Sequence, residues 1–148
     1  MFGSLAAIRA GLVTNLNVLK TTYQDMQISA YILSNPTPPV IWVKPTTGAV
    51  TEYHQAMQNR LTLQDGQETW SLTVQAFVAS GGDITAQMVL DELLATYGSH
   101  SVKAAIEADK TLGGATDDLI VRRCISYQEY QRADGTMALG AEWIVEVS

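Results

Sequence analysis

Apolar residues recur every three or four positions at the start of the chain: Leu5, Ile8, Leu12, Leu16 and Leu19 share one side, with Arg9, Asn15 and Lys20 toward solvent. That spacing predicts an amphipathic helix over 5–19, capped by Ser4 and lying on a sheet. The period then drops to two. Met26, Ile28, Ala30 and Ile32 alternate with Gln27, Ser29, Tyr31 and Leu33, which predicts a strand. It stops at Asn35-Pro36-Thr37-Pro38-Pro39, where prolines that lack an N–H predict a stiff, exposed loop. An extended apolar run over 40–44 follows, and its Trp42 is expected in the core or at a sheet edge.

Thr46-Thr47-Gly48 predicts a turn. Residues 50–57, with Tyr53, His54 and Met57, alternate weakly and read either as an edge strand or as a loop that orders against a neighbouring subunit. A short strand over 59–63 and a turn at Gln64-Asp65-Gly66 come next. The cleanest strand has Trp70, Leu72, Val74, Ala76 and Val78 on one side and Ser71, Thr73, Gln75 and Phe77 on the other. After Gly81-Gly82, Asp83 is placed to cap a helix reaching about residue 97. Its buried stripe is Val89, Leu90, Leu93, Leu94 and Tyr97, and Gly98 suits the position past its end. A second helix is expected over 101–109, ended by Gly113-Gly114. A long strand over 119–131, an Asp134-Gly135 turn and a return strand over 139–147 complete the chain. On the return strand Trp143, Val145 and Val147 share the apolar face.

This order predicts an α+β fold: a mainly antiparallel or mixed β-sheet with an N-terminal helix and a central helix pair packed on one face. One domain over 1–148 suffices, since 148 residues with 47% hydrophobic content can build a substantial core. Fifteen acidic against nine basic residues give a net charge of -6, which disfavours binding to nucleic acid or anionic lipid through a basic patch. Cys124 is the only cysteine, so neither an intrachain disulfide nor a cysteine-based zinc cluster can form within one subunit. No apolar run is long enough for a signal segment or a membrane span.

Candidate chemistry is sparse. His54 and His100 belong to no recognisable constellation and are expected in surface or capping roles. The Gly-Gly pairs lack the spacing of phosphate-binding loops. Asp91-Glu92 and Asp117-Asp118 diverge, by about 100° on a helix or to opposite faces on a strand, so neither is a ready metal clamp. No catalytic residue, metal or cofactor is expected. Arg122-Arg123, with Arg132, forms the only basic concentration. Strand alternation sends the first two to opposite faces, for an ion pair within the sheet or a charged contact across a subunit boundary.

The run Ser-Val-Lys-Ala-Ala-Ile-Glu-Ala-Asp-Lys-Thr-Leu-Gly-Gly over 101–114, then Asp117-Asp118-Leu119-Ile120-Val121, Gly135, and Leu139-Gly140-Ala141-Glu142-Trp143-Ile144-Val145-Glu146-Val147, resembles the C-terminal part of tail-terminator and tail-completion proteins of long-tailed bacteriophages. The likeness is strong over about a third of the chain and is one of pattern, not of a chemical motif. It implies a non-enzymatic virion part at the head-proximal end of the tail, made in the host cytoplasm. Its subunits would form a homo-oligomeric, hexameric ring that contacts the tail-tube protein and the head-connector or head-closure protein, with DNA passing through without sequence-specific binding and no membrane. A head-closure or adaptor protein is the neighbouring alternative, and a small host enzyme or monomeric ligand-binding module the alternative from another class. Apolar residues outside the core face, among them Trp42, Tyr53, Met57, Phe77 and Met137, point to self-association. The residues expected at subunit or partner contacts are Pro36, Pro38, Pro39, Tyr53, His54, Met57, Arg122, Arg132, Asp134 and Met137.

Overall fold

The computed structural model describes residues 5–33, 38–45, 70–79, 84–114, 116, 118–131 and 137–147. The expectations for Ser4, Asp83, the 46–63 region, Gln64-Asp65-Gly66 and the Asp134-Gly135 turn lie outside these residues.

The chain runs through α1 (Leu5–Leu16), a 3₁₀ turn (Asn17–Thr21), β1 (Gln27–Ser29), β2 (Val40–Pro45), β3 (Trp70–Ala79), α2 (Ile84–Leu93), α3 (Val102–Ile106), a second 3₁₀ turn (Leu112–Gly114), β4 (Leu119–Gln131) and β5 (Met137–Val147). The five strands form one mixed sheet in the order β1-β2-β3-β5-β4. β1 runs parallel to β2, and every other pairing is antiparallel. The fold is therefore α+β, with helices on one face of a mixed sheet.

Paired residues on neighbouring strands share a face, so the register sorts the side chains. Val43, Val74 and Trp143 make one row facing the helices, and Leu72, Val145 and Val121 make the next. Against this face pack Ile8, Leu12, Leu16 and Leu19 from α1 and its extension, Leu90 and Leu93 from α2, and Val102, Ala105 and Ile106 from α3, all within one buried cluster. Gly11 lets α1 sit directly on the turn that follows α3: a Cβ there would lie 2.7 Å from Leu112 Cβ.

Several element ends differ from the pattern. The first helix tightens to 3₁₀ after Leu16, yet Leu19 keeps its place in the core at 0% exposure. β1 ends at Ser29 because the Ser29 hydroxyl takes the Tyr31 backbone for itself, accepting its N–H at 3.1 Å and donating to its carbonyl at 2.7 Å. Ala30 and Ile32 therefore do not continue the strand. α2 ends at Leu93, where the N–H of Leu94 is shared between the Leu90 and Asp91 carbonyls, and Ser101 Oγ then donates to the Ala95 carbonyl. This turns Tyr97 away from the core, and it is 82% exposed rather than part of the buried stripe. The same Ser101 caps α3 by accepting the Ala104 N–H at 3.0 Å, and the helix closes at Glu107, whose backbone leaves the helical conformation, so it is shorter than the 101–109 reading. Beyond it, the Asp109 carboxylate accepts the N–H groups of Thr111 and Gly113, and Asn15 of α1 donates to the carbonyls of Ile106 and Asp109. β5 begins at Met137, two residues earlier than its alternation suggested.

Candidate functional site: the second sheet face and the two sheet edges

The face turned away from the helices carries an ordered polar and aromatic array. Trp42, Gln75 and Glu142 stand side by side across β2, β3 and β5. Trp42 Nε1 donates to Gln75 Oε1 at 2.8 Å, and Gln75 Nε2 donates to Glu142 Oε2 at 2.7 Å. Tyr130 Oη shares its one proton between the Ser126 carbonyl at 2.9 Å and the same carboxylate oxygen at 3.3 Å; Lys44 Nζ stands 4.0 Å from that oxygen. Phe77 lies edge-on between Trp42 (5.0 Å between centroids) and Tyr130 (5.1 Å). Gly140 leaves the room for this packing, since a Cβ there would come 2.6 Å from the Ala76 carbonyl oxygen and 2.9 Å from Phe77.

The array is spent within the subunit. Trp42 is 9% and Gln75 5% exposed, so Trp42 belongs to the sheet's own packing and offers no open platform. Burial, with the Glu142 charge behind it, pushes the Tyr130 hydroxyl upward. The same two causes in the same order push the Cys124 thiol up to about 11.

β4 is one sheet edge and β1 the other. The β4 ladder slips between Val121 and Arg123 and again between Ile125 and Gln128, with Ser126 at a φ of 62°. Such bulges twist an edge and interrupt its template for further strands. At Val121 the edge is also closed chemically, because its N–H donates to Glu107 Oε2 at 3.0 Å. Burial raises the Glu107 carboxyl, but hydrogen bonds from Lys103 and Val121, with the Lys103 and Lys110 charges, outweigh it and hold the group below its usual range.

The contact candidates named from the sequence do not converge. Arg122 sits in the first bulge and makes a two-pronged bond to Glu146, with Nη2 at 3.0 Å and Nε at 3.3 Å. This is the ion pair within the sheet that the sequence suggested; the bulge breaks the strict alternation, and Arg122 and Arg123 are both exposed. Met137, 43% exposed, lies at the far end of the β4–β5 pair. Pro38 and Pro39 are half-buried at the start of β2, on the Met137 end of the sheet, and the Pro39 carbonyl accepts the Gln27 N–H at 3.0 Å. Pro36, Tyr53, His54, Met57, Arg132 and Asp134 lie outside the described residues.

His100 has neighbours that its sequence position did not announce. Its Nδ1 is 3.4 Å from Ser99 Oγ, its Nε2 is 4.0 Å from Glu92 Oε2, and its ring meets that of Tyr23 edge-on. Tyr23 Oη donates to the other Glu92 oxygen at 2.9 Å. These groups tie the turn after α1 to α2. At 4.0 Å the carboxylate is too far to orient the imidazole, and Ser99 and Glu92 are exposed, which is not the sheltered geometry of nucleophilic catalysis. Among the described residues no group of three or more His, Cys, Asp or Glu side chains could hold a metal ion. No helix among them is long and apolar enough to cross a membrane.

Sequence reasoning also misplaced Arg9. It is 9% exposed, not solvated: its Nη1 donates to the Ala30 carbonyl at 3.1 Å and its guanidinium stacks 4.5 Å from the Tyr31 ring centroid. Its Nε is a buried nitrogen with no hydrogen-bond partner among the described residues. No helical or strand period carries a signal for this. Comparison of the chain with protein-family models and with curated proteins returns no match.

Proposed function

We propose that this chain is a non-enzymatic virion protein. It forms a ring that caps the tail tube of a long-tailed bacteriophage, stops tube growth and offers the surface on which the head is joined. The observation that carries this reading is the C-terminal order of residues that resembles tail terminators, with α3, the Gly-Gly turn, β4 and β5 as its elements. Apolar side chains left outside the core support an assembling subunit. Ile84 and Met88 on α2 are 71% and 60% exposed, and Ile120, Ile125 and Tyr127 on the edge strand are 39%, 37% and 47% exposed.

A cap of this kind works by replacing the surface that the next tube subunit would recognise. It needs a head-to-tail contact between subunits that closes into a ring, six-fold by the resemblance, and two unlike axial faces for the tail-tube protein and the head connector. DNA crosses the lumen without sequence-specific binding, in keeping with a net charge of -6.

Electron microscopy of lysates in which this reading frame carries an early stop tests the proposal. Overlong tails without heads are the expected result. Free tails of normal length beside emptied heads would move the protein to head closure, and intact infectious particles would overturn a role at the joint.

A further inference from the structure

We infer that Arg9 of one copy receives Glu129 of the next, so that the β1 edge of one sheet meets the β4 edge of its neighbour in a head-to-tail contact. Arg9 carries a charge to which no described residue offers a counter-ion. A buried guanidinium is ordinarily matched by a carboxylate, because taking a cation out of water without one is costly. Among the described residues Arg9 has one carbonyl, one aromatic face and no ion pair, and its buried Nε has no hydrogen-bond partner. Beside it Tyr31 and Ile32, which follow edge strand β1, are 53% and 58% exposed.

The opposite edge has the complementary set. Glu129 is exposed and has no ion pair among the described residues; Tyr127, whose hydroxyl reaches Asp91 of α2, lies near it along β4. Glu129 pairs across the ladder with Leu139, whose side chain packs on the core, so Glu129 stands on the helix-bearing side of the sheet. Arg9 belongs to α1, which lies on that same side. Cation and anion are thus in the same layer of the molecule at its two opposite sheet edges. One copy cannot satisfy both, whereas a neighbour displaced along the sheet can. The contact is heterologous, the kind from which rings are built when the rotation closes. The bulged β4 edge and the three-residue β1 argue for side-chain contact over strand addition.

The inference deepens the ring proposal and has a separate test. In chains carrying Cys124→Ser, one population receives Ile32→Cys and another Gln131→Cys, both at exposed positions flanking the contact. A short bismaleimide should link the two populations when mixed and neither population to itself. Adding Arg9→Met to the first or Glu129→Gln to the second should cut the yield about tenfold or more, the order expected for loss of a charge-assisted hydrogen bond. Arg9→Met should melt no lower than its parent; if it fails to fold, Glu129→Gln on the exposed edge decides alone. No mixed adduct, or one indifferent to Glu129→Gln, overturns the contact. Overlong tails in the early-stop lysate together with no adduct would leave the terminator reading standing and remove this contact; an adduct with normal particles would do the reverse.

Discussion

The carboxylate of Glu107 accepts the backbone N–H of Val121 at 3.0 Å, so the residue that closes α3 also closes the start of the sheet's long edge strand. Lys103, one turn earlier, holds that carboxylate at 2.7 Å. Glu107→Ala removes the acceptor from the N–H of a residue only 7% exposed, and should cost about 1–3 kcal/mol in urea unfolding. Amide exchange at Val121 should accelerate more than at Val145 on the neighbouring strand. Because the folded carboxyl lies below its ordinary value of 4.5, its contribution is complete above that pH and is lost as pH falls through the depressed value. The wild-type and Glu107→Gln stability profiles should therefore converge at acid pH, below about 4.5, and an equal gap throughout would exclude the linkage.

Gly140→Ala should destabilise the protein by about 1–3 kcal/mol through overpacking, since the added methyl meets a backbone oxygen that cannot swing away. The near-ultraviolet circular dichroism of the Trp42–Phe77–Tyr130 array should change with it. An unchanged spectrum and midpoint would show that the strands part without cost.

Trp42→Phe keeps an aromatic ring against Phe77 but withdraws the N–H from Gln75 Oε1, a group on a residue only 5% exposed. The expected loss is about 1–3 kcal/mol. In a double-mutant cycle with Gln75→Leu, the two losses should add to more than the double mutant's loss, because the second change removes the group orphaned by the first. Simple additivity would show that the bond contributes nothing.

Cys124 lies at the sheet edge, where a thiol would normally react readily. Burial, then the Glu142 charge, hold its pKa at about 11. Alkylation by iodoacetamide should therefore be slow at neutral pH and keep rising through pH 10, with Glu142→Gln shifting the rise toward lower pH. A rate that levels off near pH 9, the ordinary thiol value, would contradict a thiol held up by burial and the Glu142 charge.

The residues alone make legible the elements whose pattern is periodic and whose face is buried. Leu72, Val74, Ala76 and Val78 all point to the core as their alternation requires, and so do Trp143, Val145 and Val147; Ile8, Leu12, Leu16 and Leu19 do the same at helical spacing. Hydrophobic burial needs only that one face be apolar, so the pattern carries it. Element ends were less legible, since single polar groups decide them: Ser29 stops β1 and Ser101 starts α3 through hydrogen bonds that compete with the regular ladder. Contacts that depend on register and long-range approach appear only in the folded chain. Gln75 meets Glu142 across 67 positions, and Arg9 is buried by Ala30 and Tyr31 although its own helix period places it toward water. Periodicity reports which side of an element is apolar. It holds no record of which polar residue on another element will stand opposite, because strand register and helix placement are set by the packed core as a whole.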